Sequence, residues 1–175
     1  MQNSDRALTR KDIDTLGLSA LGGALEYYDF IIFVFLAASI GQLFFPPDMP
    51  EWLKQFQVFG IFAAGYLARP IGGLLMAHFG DIAGRKRMFT FSLLLMAVPT
   101  FIMVLLPTYA QIGICAPILL LLMRILQGFA LGGEYGGAAI YVAEHAKPDG
   151  RGWATSWVQT SAAFGLFGAL LVILA

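Results

Sequence analysis

Polar residues in this chain are gathered into short clusters, and between the clusters apolar residues run on without a break. A helix that crosses a bilayer needs about 20 mostly apolar residues. Five stretches meet that length. The first runs from about Leu16 to Phe45 and ends at Pro46-Pro47. The second runs from about Trp52 to Phe79, and the third from about Met88 to Leu106, where Pro107 stops it. The fourth runs from about Ala116 to Ala143; the fifth starts near Trp153 and is still apolar at Ala175. No linker, low-complexity tract or second domain interrupts the series. The pattern predicts an all-α membrane protein, with a short segment over 1–15 and five transmembrane helices over 16–175.

Composition agrees. Apolar residues make up 58% and charged residues 13%, against about 45–50% and about 25% in soluble globular chains. The 15 Phe and a mean hydropathy of +0.74 point the same way. So much apolar surface cannot be hidden inside a 19 kDa globule, so the bilayer is the natural solvent. A formal net charge of zero leaves no basic footprint for nucleic acid. Cys115 is the single cysteine, which excludes an internal disulfide and a multi-cysteine metal site. The N-terminus is not a cleavable signal peptide. Asp5, Asp12 and Asp14 sit among its basic residues, and the apolar run that follows is long and carries carboxylates.

Lys and Arg predict the orientation. Arg6, Arg10 and Lys11 precede the first span; Arg85, Lys86 and Arg87 lie between the second and third; Lys147 and Arg151 lie between the fourth and fifth. The opposite side carries only Lys54. The N-terminus and the loops at 80–87 and 144–152 are therefore expected in the cytoplasm. Five spans would put Ala175 outside with no polar tail, so a truncated chain or a fragment is expected.

Five ionisable groups fall within the spans: Glu26, Asp29, Arg69, Arg124 and Glu134. Each costs about 2.5–3.5 kcal/mol at helix centre, on the order of 12–17 kcal/mol together if uncompensated. They should pair, face a watery cavity or titrate to neutral. Glu26 and Asp29 are three apart and share a helix face. Gln127, Leu131 and Glu134 line one face of the fourth span, with Arg124 roughly 60–80° away. By rise per residue, Arg124 lies roughly 30 Å from Glu144, and Asp29 roughly 18–20 Å into the first span. An arginine side chain covers the difference in depth, so an Asp29–Arg124 pair is allowed. That pair is either a proton or substrate site or a static ion pair between spans. Glu26 and Glu134 are each either part of a site or a hydrogen-bonded structural carboxyl. Arg69, before Pro70, either lines the cavity or pairs with a carboxylate.

The loop between the second and third spans reads Gly80-Asp81-Ile82-Ala83-Gly84-Arg85-Lys86-Arg87. A positive-inside anchor accounts for Lys86 and Arg87 but not for Asp81 with two glycines. This loop resembles the signature of the major facilitator superfamily, matching at Asp81, Gly84, Arg85 and Lys86 and departing at Ala77 and Ile82. Further stretches resemble its metabolite:proton symporter branch of proline/betaine, citrate, α-ketoglutarate and shikimate carriers. They are Gly23-Ala24-Leu25-Glu26-Tyr27-Tyr28-Asp29-Phe30, Arg69-Pro70-Ile71-Gly72-Gly73, Arg124-Ile125-Leu126-Gln127-Gly128 and Gly132-Gly133-Glu134. Glu144 with Arg151-Gly152 resembles the second cytoplasmic charge cluster.

The resemblance implies a twelve-helix fold of two six-helix halves that rock about a midplane substrate site. This chain would supply most of the N-terminal half, and the missing C-terminal helices would be needed for activity. It implies Asp29 and Arg124 as the proton-coupling pair, with Glu26, Arg69, Gln127 and Glu134 in the substrate cavity. Asp81, Gly84, Arg85, Lys86, Glu144 and Arg151 would form the cytoplasmic gate. No cofactor or metal is implied. The expected function is proton-coupled symport of a small organic acid or zwitterion in a bacterial-type inner membrane. The alternative is a non-transporting membrane protein with an interaction role or no independent activity. An intramembrane enzyme is disfavoured, because the spans carry no Ser/His dyad, HExxH or Walker sequence. Gly128, Gly132 and Gly136, four apart, are expected to serve helix packing, as are Gly165 and Gly168. Trp52, Trp153 and Trp157 are expected as interfacial anchors, and His78 and His145 as headgroup-level residues.

Overall fold

The computed structural model describes residues 10–145 and 151–174. Arg6 and Lys147 lie outside the described residues, as do the side chains of Arg10, Lys11, Arg85, Lys86, Glu134, Glu144, His145, Trp153 and Trp157. Every element among the described residues is helical: α1 (Arg10–Phe35), α2 (Ala37–Phe44), α3 (Glu51–Ala83), α4 (Arg85–Leu105), α5 (Tyr109–Ile112), α6 (Cys115–His145) and α7 (Arg151–Leu174). The five predicted apolar stretches fall on α1 with α2, α3, α4, α6 and α7.

The helix ends follow from local chemistry. Phe45 is extended, at φ −125° and ψ 161°, as the residue before a proline prefers. The turn through Pro46 and Pro47 closes with the Met49 amide donating to the Pro46 carbonyl at 3.2 Å. Gly84 separates α3 from α4 at φ +92°, and its amide donates to the Gly80 carbonyl at 3.1 Å. Leu106, before Pro107, is extended and ends α4. Thr108 and Gln111 form a reciprocal capping box that opens the single turn of α5.

Among the described residues, two helices are each long and apolar enough to cross a membrane, through Glu51–Ile82 and Cys115–Gly132. Leu21–Phe35 and Ala37–Phe44 meet the same length and apolarity only when taken together, as a pair bent by 67° at its break. The apolar parts of α4 and α7, Thr90–Leu105 and Thr160–Leu174, are shorter. Thr90–Leu105 rises about 24 Å against a core of about 30 Å, because the basic cluster 85–87 takes up its first turn. At 33 residues, α3 is roughly 50 Å long and outruns the core. It exposes Trp52, Phe56, Leu67 and Leu74, a display suited to lipid rather than water.

The chain divides into two compact units, Met1–Ile32 with Tyr135–Ala175, and Phe33–Glu134. In the first, α1 packs on α7. A Cβ on Gly165 would fall inside the Ala24 carbonyl and 2.9 Å from Tyr27 Cβ, and one on Gly23 would lie 2.8 Å from Ser161 Oγ. In the second, Phe33, Ala37, Phe44 and Phe45 meet Val58 and Ile61 of α3 and Ala116 and Leu120 of α6. Ala37, Gly41 and Phe44, spaced by four and three, give α2 its buried face.

The tightest seam is between α3 and α6. A Cβ on Gly128 would enter the Gly65 carbonyl, one on Gly132 the Arg69 carbonyl, and one on Gly72 the Phe129 carbonyl. A Cβ on Gly65 would stand 2.8 Å from the Arg124 carbonyl oxygen. Small residues let these backbones touch, so Gly128 and Gly132 have the packing role expected of them.

Candidate functional site

The α3–α6 seam fixes the depth and rotation of Arg124, one turn before Gly128. The side chain is 8% exposed. Its guanidinium carbon lies 3.7 Å from the centre of the Phe33 ring, and that ring stacks on Phe62 at 6.1 Å. An aromatic face carries negative potential and attracts a desolvated cation. Nη1 of Arg124 donates to Gln127 Oε1 at 2.9 Å. The spacing of three on one helix brings the two side chains together. Gln127, 3% exposed, donates through Nε2 to Thr100 Oγ1 on α4 at 2.6 Å. The Thr100 hydroxyl donates back to the Met96 carbonyl at 2.9 Å. A buried cation is thus held by an amide oxygen and an aromatic face, and a hydrogen-bonded chain ties it to a second helix.

Among the other predicted site residues, Glu26 is 8% exposed and Asp29 half-buried, on α1 in the first unit. Arg69 is half-buried and places its guanidinium 4.7 Å from the Tyr66 ring centre. Glu134 lies on α6 with its side chain outside the described residues.

Of the residues expected at the cytoplasmic gate, Asp81 is exposed near the end of α3, and Gly84 occupies a backbone region that L side chains rarely adopt. Arg85 and Lys86 open α4 and Glu144 stands near the end of α6. Arg151, exposed, begins α7. His78 is exposed and meets Phe79 edge-on at 5.6 Å.

Two participants, Thr100 and Phe33, and one buried charge outside the relay, Lys54, are absent from the sequence-predicted site. Thr100 follows Pro99 in an apolar helix, and a hydroxyl at that depth was the available signal. Phe33 gave none, being one of 15 phenylalanines. Lys54, the single basic residue expected on the opposite side, is 5% exposed. It pairs with Glu51 at 3.1 Å, donates to the Pro47 carbonyl at 3.4 Å, and packs its stem where Gly41 leaves room. The Glu51–Lys54 spacing of three was its signal.

Residues 17–175 match the family model described as "Sugar (and other) transporter". The proline/betaine transporter of Salmonella typhimurium is 40% identical over 157 residues, which cover 89% of this chain and 31% of that protein. The glycine betaine/proline/ectoine/pipecolic acid transporter OusA of Dickeya dadantii is 40% identical over 157 residues, with the same coverage of 89% and 31%. A putative proline/betaine transporter of Staphylococcus aureus is 39% identical over 172 residues, 98% of this chain and 37% of that protein. The chain therefore spans about a third of the length of these curated relatives. No solved structure matches it.

Proposed function

The chain belongs to the sugar (and other) transporter family of the major facilitator superfamily, and from that premise we propose that it serves proton-coupled symport of a small carboxylate-bearing solute, an organic acid or a zwitterion, by alternating access. The family is one of transporters and not of enzymes. The relatives named above are proline and betaine carriers, which makes a zwitterion the first solute to test.

The observation that carries the reading is Arg124. A charge this deep in an apolar helix costs about 2.5–3.5 kcal/mol or more, and burying an ion pair is a poor way to gain stability. A guanidinium held by an amide and an aromatic ring keeps planar, fork-like geometry suited to a carboxylate. In this reading the solute carboxylate takes Arg124, and Asp29 carries the coupled proton. Glu26, Arg69, Gln127 and Glu134 line the solute cavity. The loop at 80–87, with Asp81, Gly84, Arg85 and Lys86, and the loop at 144–152, with Glu144 and Arg151, carry the gate charges on the cytoplasmic side, where the N-terminus also lies. Helices beyond the third of the relatives' length that this chain matches complete the pathway.

The test is accumulation of radiolabelled glycine betaine, proline and citrate in proteoliposomes under an inward proton gradient. Accumulation of at least one, abolished by a protonophore, is expected. Equal uptake with and without the gradient would remove proton coupling. No uptake and no binding of any of the three would remove the solute class.

A further inference from the structure

We propose that Thr100 is a positioning residue for the carboxylate site, setting the polarity of a relay that aims Arg124; this rests on the solute reading of Arg124 given above. The argument is one of hydrogen-bond direction. A threonine hydroxyl has one proton to give. Thr100 gives it to the Met96 carbonyl one turn back, at 2.9 Å. Only lone pairs then face Gln127, so Gln127 must present its NH2 there, as it does at 2.6 Å. That choice turns the amide oxygen toward Arg124 Nη1, 2.9 Å away. With the amide reversed, its NH2 would face the guanidinium, donor against donor, and its oxygen would face a hydroxyl whose proton is already committed. Thr100 thus favours one of two amide orientations, the one that offers the Gln127 oxygen to Arg124 Nη1.

The setting makes this selection matter. Gln127 is 3% exposed and Arg124 8%, so water is a poor substitute for a lost partner. The Phe33 ring covers the guanidinium from one side, 3.7 Å from its carbon. Gln127 gives its Nη1 an acceptor at 2.9 Å. Thr100 reaches the site from α4, 27 residues away in sequence. A shift of α4 against α6 would therefore change the aim of Arg124 without touching it.

The experiment uses the protein in lipid nanodiscs, as wild type, Thr100→Val and Thr100→Ser. Valine keeps the shape and removes the hydroxyl; serine keeps the hydroxyl. One arm measures the rate at which phenylglyoxal modifies Arg124, read peptide by peptide in a mass spectrometer, with Arg69 on α3 as internal control. The other arm measures binding of glycine betaine. Thr100→Val is expected to raise Arg124 modification about tenfold, the loss of one buried hydrogen bond, with Arg69 unchanged. It should weaken glycine betaine binding by a similar factor, and Thr100→Ser should restore both. Equal modification in all three proteins would overturn the proposal. So would a parallel rise at Arg69, which signals general loosening. If the wild type binds no glycine betaine while Thr100→Val alone exposes Arg124, the positioning role stands and the zwitterion reading falls.

Discussion

Gly128→Ala asks the most of the α3–α6 seam with the smallest change. The added Cβ would enter the Gly65 carbonyl oxygen, with the Gly65 carbonyl carbon at 2.9 Å and Ala68 Cβ at 3.1 Å. Two of these neighbours are backbone atoms and the third is a Cβ, so none can rotate aside. The helices must separate or bend. Overpacking of this kind costs about 1–3 kcal/mol, and the rigid surroundings argue for the upper end. Alanine returns about 1 kcal/mol of helix propensity over glycine. The net expectation is a loss of about 2 kcal/mol, roughly a thirtyfold change in the folding equilibrium. Gly60→Ala on α3 is the matched control, since nothing lies within 4 Å of its Cβ position. It should be neutral or gain up to about 1 kcal/mol. Steric trapping in bicelles, or unfolding by a denaturing detergent, reads both variants on one scale. If Gly128→Ala is as stable as Gly60→Ala, the two backbones do not touch at this crossing.

Gly84→Ala places a side chain at φ +92° and should destabilise by about 1–3 kcal/mol, readable in the same unfolding assay, although open space surrounds the position. Lys54→Met keeps the stem against Gly41 and discards an ion pair whose carboxylate partner is exposed; a change of at most about 1 kcal/mol is expected, whereas Lys54→Ala also loses packing and should cost more. Asp29→Asn should abolish proton-driven accumulation while sparing solute exchange, measured by counterflow in proteoliposomes. Arg124→Lys should weaken glycine betaine binding, because an ammonium offers no planar fork; unchanged affinity in a binding titration would make Arg124 structural.

Much of the architecture was legible because apolar length is a one-dimensional property. Runs such as 52–79 and 116–143 announce themselves, and Pro46, Pro107 and Gly84 mark their ends. The break at Leu36 was not legible. Neither proline nor glycine stands there, and the residue turns through an ordinary φ of −83° and ψ of 5°. What sets it is packing: α2 buries Ala37, Gly41 and Phe44 against neighbours whose place no local pattern reveals. The same limit divided the site. Arg124 and Gln127 could be joined from their spacing of three, whereas Thr100 and Phe33 reach Arg124 and its relay only through tertiary contact. The α5 capping box was written in Thr108 and Gln111, and the apolar pattern around it masked so short a turn.

The glycine seam also has a mechanical meaning. Where two helices touch through backbone, there is no layer of side chains to shear. A screw motion of α6 by one residue against α3, a shift of about 1.5 Å with a turn of about 100°, would bring Phe129 where Gly128 sits, against the Gly65 carbonyl. The two helices can therefore travel only together, as one girder. Any relative motion within this unit must be taken up elsewhere, at joints with side chains to spare, and α4 with its Thr100 link is one of them.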